Sequence, residues 1–326
     1  MADIKNRFDW PPIGQDKVVA FLEKSLISGK LAQTYIFAGP KDLGKSSLAL
    51  AFARNLWQSD RGAAGSGNFE SLNSDLYILE KDDDKQVIGV EATRNFIKRL
   101  GLSSFMNSYK IGIIKEAETL SSESQSALLK TLEEPRAQVV IILLTEKLEA
   151  LLATIVSRSQ VLYFQPVKSA AVYDYLLASL DIKRSKAKEL AAASLGRPLQ
   201  ALRWAENQDS YQDYFQLVGQ LFTFLKSDLA FRLGFINQES GGDKLSAEEA
   251  SRWLDIWESL WRDALLVSLG QEEYLRYPSL LDSWKKDFNL SAEVVIDRLR
   301  QTTKARLYLQ GLVSPQNILE SLAIYF

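Results

Sequence analysis

Thr34-Tyr35-Ile36-Phe37-Ala38-Gly39-Pro40-Lys41-Asp42-Leu43-Gly44-Lys45-Ser46 joins a short apolar, β-favouring run to a complete G-x-x-x-x-G-K-[ST] phosphate-binding loop. From Ser46 to Leu56 the residues Leu48, Ala49, Phe52, Ala53 and Leu56 fall at helical spacing. Strand, loop, helix is the order such a loop requires. The four fixed positions arise by accident in roughly one chain in a hundred of this length, and the flanking elements count against accident. Glycines let backbone N–H groups turn toward phosphate oxygens, and the helix N-terminus adds partial positive charge. The candidate nucleotide-binding residues are Gly39, Pro40, Lys41, Asp42, Leu43, Gly44, Lys45, Ser46 and Ser47, with ATP or ADP as the expected ligand. Lys45 suits the β- and γ-phosphates, and the Ser46 hydroxyl suits a metal if one is present. The alternative is a loop kept as a structural turn that no longer meets nucleotide; binding is preferred.

Working outward, the strand expected to supply a metal-binding carboxylate reads Ile111-Gly112-Ile113-Ile114 and runs into Lys115-Glu116. A lysine there reverses the sign of the site. At about 5 Å and an effective dielectric near 20, an attraction for Mg²⁺ of several kcal/mol becomes a repulsion of similar size. The expectation is weak or absent ATP hydrolysis by this chain alone, with Mg²⁺ disfavoured. A second hypothesis stays open: Lys115 stands in for the metal and contacts the phosphates itself. Glu116 keeps the position of a water-activating carboxylate, and without a metal it is structural or part of an intersubunit contact.

The chain has 326 residues, enough for two or three domains with real cores. Hydrophobic residues at 46% and charged residues at 25% are those of a soluble globular protein. No cysteine and no histidine occur, which excludes disulfides, thiol nucleophiles, histidine bases and every Cys/His zinc site. The net charge of −2 and a pI near 5.6 supply no global field toward DNA or membrane. Any work at DNA therefore relies on local patches or partner subunits. No apolar run approaches the ~20 residues of a membrane span, and the first residues lack a signal-peptide core. A cytoplasmic location is expected, without membrane contact.

Leu76–Leu79, Ile111–Ile114, Val139–Leu144 and Val161–Phe164 are continuous apolar runs, as strands buried on both faces require. Helices are expected at 15–28, 46–57, 89–100, 122–134 and 147–156, the fourth opened by a capping box at Ser122-Glu123-Ser124-Gln125 and burying Ala127, Leu128, Thr131 and Leu132. Trp57 to Asp75, with Gly62, Gly65 and Gly67, reads as a surface loop, and Asp82-Asp83-Asp84 as a solvated turn rather than a metal site. After Pro166 the β character disappears. The expected organisation is an α/β P-loop domain over 1–166, a parallel sheet with helices on both faces, then a small helical lid over 167–207. An all-α domain follows over 208–326. In the last, Ser246-Ala247-Glu248-Glu249 caps a long helix carrying Trp253, Trp257 and Trp261 on one face, either as core, the preferred reading, or as a subunit interface.

In order along the chain stand the phosphate loop, Ile113-Ile114-Lys115-Glu116, Ala127-Leu128-Leu129-Lys130-Thr131-Leu132-Glu133-Glu134-Pro135, a strand reaching Leu144-Thr145, and Ser157-Arg158-Ser159. This set closely resembles AAA+ clamp-loader subunits of bacterial DNA polymerase III, nearest to the delta-prime type and next to the gamma/tau motor type. The resemblance runs from Ile13-Gly14-Gln15 to Gly196-Arg197-Pro198. It implies a non-motor subunit of a hetero-oligomeric ring with gamma/tau and delta. Such a ring is part of a DNA polymerase holoenzyme and loads a sliding clamp onto primed DNA, with the all-α domain as an oligomerisation collar. It further implies that Arg158 is an arginine finger acting on ATP held by a neighbouring subunit, that Thr145 and Arg197 occupy the two sensor positions, and that Glu116 retains a catalytic position. The alternative is the gamma/tau-type motor itself, which needs a working metal site. A four-cysteine zinc module common in the family is missing here, so no zinc is expected.

Overall fold

The apolar runs form strands β1 (Thr34–Ala38), β2 (Leu76–Leu79), β3 (Lys110–Ile114), β4 (Val139–Thr145) and β5 (Gln160–Tyr163). In the computed structural model they pair, all parallel, in the order β2-β3-β4-β1-β5. The residues described are 8–12, 14–61, 75–82, 85–102, 109–133, 138–239, 245–288, 290–309 and 313–326. Ile13, Gly62, Gly65, Gly67, Asp83, Asp84, Glu134 and Pro135, singled out above, lie outside them.

Alternate strand residues face opposite sides of a sheet, and both sides here are covered. Tyr35, Phe37, Ile113 and Ile142 pack against Leu22 of α1 (Asp16–Ser28) and Leu48, Phe52 and Leu56 of α2 (Lys45–Arg61). Ile36, Ile114, Ile141 and Leu143 pack against Phe96 of α3 (Val90–Leu100), Leu128 of α4 (Ser122–Glu133) and Ile155 of α5 (Ala153–Val156). Each such side chain, fully buried, contributes roughly 1.5–3 kcal/mol. The continuous apolar pattern thus reflects burial on both faces for the central strands β1, β3 and β4; the edge strands β2 and β5 correct the expectation, since Ile78 and Tyr163 are exposed there.

Several local expectations need correction. Helix α2 continues to Arg61, so the stretch after Trp57 begins as helix rather than loop. The span 147–156 splits into a 3₁₀ turn at Leu148–Ala150 and the short α5. Helix α4 is capped one residue earlier than the motif suggests: Ser121 Oγ accepts from Ser124 N–H at 3.1 Å. Gln125 is not part of a box. Its side chain turns inward, donating to Ala150 O at 3.1 Å and accepting from Leu152 N–H at 2.8 Å. On that helix Leu128 is the buried anchor, and Ala127, Thr131 and Leu132 are only half-buried.

After β5 the chain forms α6 (Ser169–Ser179), α7 (Arg184–Ala193) and α8 (Pro198–Glu206). Backbone contacts divide the chain into two compact units, Met1–Leu202 and Arg203–Phe326. Within the first, Gly196 sits at φ +70° and accepts from Val167 N–H at 2.9 Å. A Cβ there would lie 2.2 Å from Val167 O, so the turn before α8 demands glycine.

The second unit is helical in its described residues, with α9 (Gln208–Lys226), α10 (Leu229–Glu239), α11 (Ala247–Ser268), α12 (Leu281–Asp287), α13 (Ala292–Leu309) and α14 (Pro315–Tyr325). The capping box of α11 is present, Ser246 with Glu249. Trp253, Trp257 and Trp261 are buried within this unit and meet Phe224, Phe235, Trp284 and Phe326 edge-on or tilted. The tryptophan face is core.

Candidate nucleotide site

The phosphate loop leaves β1 at the carboxyl edge of the sheet, where crossover loops converge and ligands of open α/β sheets bind. Gly39 N–H donates to Thr145 O at 3.1 Å, tying the loop to the end of β4, and Phe164 N–H donates to Ala38 O at 2.7 Å. Gly39 has φ +149°, and a Cβ would stand 2.3 Å from Phe164 O. Leu43 is buried and pins the middle of the loop to the core. Asp42 adopts φ +66° and its carbonyl accepts from Leu199 N–H at 3.2 Å, which links the loop to the first turn of α8. Helix α2 starts at Lys45.

Lys45 Nζ donates to the carbonyl oxygens of Gly39 and Pro40 at 2.5 and 2.7 Å. Burial pulls its pKa below the usual lysine value, while Glu146, Glu118 and Asp42 push the other way. Desolvation lifts the Glu146 carboxyl above the usual carboxylate range, opposed by the charge of Lys45, although the residue keeps solvent contact. Glu118 Oε1 accepts from Glu146 N–H at 3.3 Å, and Glu118 Oε2 is buried with no hydrogen-bond partner among the described residues. These groups, with Ser46, Lys115, Glu116 and Thr145, line a cleft of about 200 Å³.

Of the positions expected to be sensors or metal ligands, Thr145, Lys115 and Glu116 line this cleft and Arg197 does not. Thr145 is buried at the end of β4, and its hydroxyl exchanges hydrogen bonds with the backbone of Lys147 at 3.1 Å. Arg197 acts electrostatically on Lys45 from the start of α8. Lys115 stands where the acid was sought, directly after β3, and its Nζ donates to Glu80 Oε2 at 2.7 Å. Glu116, at φ +48°, lies 3.7 Å from Lys81. A cation at that place does not fit a metal ligand set, and no group of three or more Asp or Glu that could hold an ion occurs among the described residues.

Arg158 does not line this cleft. It follows α5, and its Nη2 lies 3.1 Å from Glu133 Oε1 at the end of α4 while Nη1 donates to Thr154 O at 3.3 Å. Its side chain is 41% exposed, so part of the guanidinium fork still faces outward. Glu80, Glu118, Glu133 and Glu146 were missed from the sequence. For Glu80 the sequence offers only half the signal, its place directly after β2 as Lys115 stands directly after β3; that the two strands are neighbours is decided by the fold.

No helix of the described residues is long and apolar enough to cross a membrane. The sequence profile of the family described as DNA polymerase III, delta subunit, matches residues 14–168. The chain is 27% identical over 319 residues to DNA polymerase III subunit delta' of Bacillus subtilis, covering 95% of both chains. It is 28% identical over 208 residues to subunit delta' of Pseudomonas aeruginosa, covering 61% of this chain and 63% of the relative. Subunit tau of Bacillus subtilis is 28% identical over 185 residues, but those cover 54% of this chain and 32% of tau. An intact phosphate loop with Lys115 directly after β3 thus coincides with a delta' relative that aligns along nearly the whole chain, and along that length the chain is similar to the delta-prime subunits of DNA polymerase III.

Proposed function

We propose that this chain is a non-motor, delta-prime-type subunit of the DNA polymerase III clamp loader. It assists ATP-driven loading of the sliding clamp onto primed DNA, in a ring with gamma/tau and delta subunits. The observation that carries this reading is Lys115 paired with Glu80 at the metal position: the loop can cradle phosphates, but nothing on β3 draws in the magnesium that hydrolysis uses. The same observation disfavours the gamma/tau-type motor. When bound, nucleotide would be held by Gly39 to Ser47, with Lys45 on the phosphates and Thr145 and Arg197 at the sensor positions.

Arg158 serves the neighbouring ATPase subunit. It is permanently charged, half exposed, and held by Glu133 and Thr154 O, so its remaining donors are available to a γ-phosphate across an interface. Arginine fingers contribute about 10³–10⁵ in rate. Arg158→Ala should therefore cut ATP turnover of a complex reconstituted with the ATPase subunits by orders of magnitude while assembly, followed by gel filtration, persists. Undiminished turnover removes the finger assignment. Brisk magnesium-dependent turnover by this chain alone, lost in Lys45→Ala, restores the motor reading.

A further inference from the structure

Glu80-Lys81 and Lys115-Glu116 leave the neighbouring strands β2 and β3, whose last residues pair as Leu79 with Ile114. Their four charges meet crosswise, Lys115 on Glu80 at 2.7 Å and Lys81 on Glu116 at 3.7 Å. Lys115 also lines the phosphate-loop cleft, whereas Glu80 does not. The lysine thus sits between two anionic claims: the carboxylate that now holds it and whatever the loop binds.

The charge of the cleft decides how much that matters. Lys41, Lys45 and Lys115 line it against Asp42, Glu116, Glu118 and Glu146, three cations to four carboxylates. Without Lys115 the balance is two to four. A polyphosphate adds several more negative charges, so binding needs every cation the cleft can turn inward, or an added metal. The acid that attracts such a metal is absent from β3.

We infer that Lys115 exchanges Glu80 for the outer phosphates of a bound nucleotide, making the cleft a metal-independent polyphosphate site whose affinity Glu80 sets by competition. This rests on the reading of Gly39 to Ser46 as a nucleotide loop. The exchange costs little because the pair is half in solvent, with side chains 38% and 60% exposed, and exposed ion pairs contribute little net stability. In return the ammonium, a mobile point charge on a four-carbon stem, meets several phosphate oxygens instead of one carboxylate.

The test is titration of the purified full-length chain with a fluorescent ATP analogue, once in EDTA and once in excess magnesium. In EDTA, Glu80→Gln should tighten binding about two- to fivefold, Lys115→Ala should weaken it about tenfold or more, and Glu80→Gln should have no effect once Lys115 is gone. Lys115→Gln, which keeps most of the stem, serves if the alanine variant misfolds. Binding in EDTA that is indifferent to Lys115, or binding seen only in excess magnesium, overturns the inference. The loop reading then survives provided Lys45→Ala abolishes that binding. No binding by the wild-type chain in either condition removes both.

Discussion

Gly196→Ala is a perturbation whose size follows from two distances and one angle. Gly196 lies at φ +70°, and an added Cβ would stand 2.2 Å from Val167 O and 2.8 Å from Val167 N. Both obstacles are backbone and cannot rotate away. The left-handed conformation costs a residue with a Cβ about 1–2 kcal/mol, and forcing an extra methyl into filled space costs about 1–3 kcal/mol more. Gly29, the C-cap of α1, provides the control: it has φ +67°, and a methyl group added there would meet nothing within 4 Å. Gly29→Ala therefore carries the first cost without the second. The two variants gain the same small benefit from a less flexible unfolded chain. Their difference isolates the overlap, about 1–3 kcal/mol, or roughly 2–12 °C in melting temperature for a unit of this size. Thermal unfolding of both proteins, followed by far-UV circular dichroism, measures it. The same substitution moves Arg197 and the Leu199 N–H that holds the phosphate loop through Asp42 O, so nucleotide affinity should fall in Gly196→Ala and not in Gly29→Ala. If the two variants melt together, the close approach of Val167 is not what demands glycine at 196.

Lys110 is buried 4.0 Å from Asp75 and donates to Arg99 O at 3.0 Å, so Lys110→Met should cost about 1–3 kcal/mol by removing a charged donor from both, read by urea unfolding; an unchanged midpoint refutes the contribution of these contacts. Asp263 is fully buried in the second unit, accepts from Arg276 and Tyr277 N–H, and is lifted above its usual 3.8 by burial despite those hydrogen bonds. Below pH 3.8 its carboxyl is neutral in both states; as pH rises from there through the raised folded value, the native state keeps a proton the unfolded chain has lost, and stability declines. Asp263→Asn should abolish that decline in urea titrations between pH 3.5 and 7, roughly, while costing about 1–3 kcal/mol at neutral pH because its NH₂ faces backbone donors; an unchanged slope assigns it to another group. Glu133→Gln should leave turnover of a reconstituted complex within about fivefold of wild type, since a half-exposed ion pair contributes at most about 1 kcal/mol; a loss as deep as that of Arg158→Ala makes Glu133 part of the chemistry.

Much of this was legible in the residues because the informative signals were local. Continuous apolar runs marked β1 to β5 as strands, with burial on both faces holding for β1, β3 and β4 but not for the edge strands β2 and β5, and the phosphate loop declared its own geometry, since Gly39 admits no side chain. The cap of α11 and the buried tryptophans followed from spacing within one helix. Misreadings arose where a local pattern met a long-range competitor. Gln125 completes a plausible capping box, but Ala150 and Leu152, brought over by the β4 crossover, offer its amide buried partners, and Ser121 takes the cap instead.

What the residues determined unaided is the strand–loop–helix phosphate cradle, the parallel sheet with helices on both faces and the lysine in place of an acid directly after β3, all set by neighbours within a few positions. Only the tertiary structure decided which carboxylate each key cation meets. Lys115 finds Glu80 across 35 positions because β2 and β3 end side by side, and Arg158 finds Glu133 because α5 packs at the end of α4. Charge partners act through space, and the order of strands in a sheet, which sequence distance does not encode, sets who is near whom.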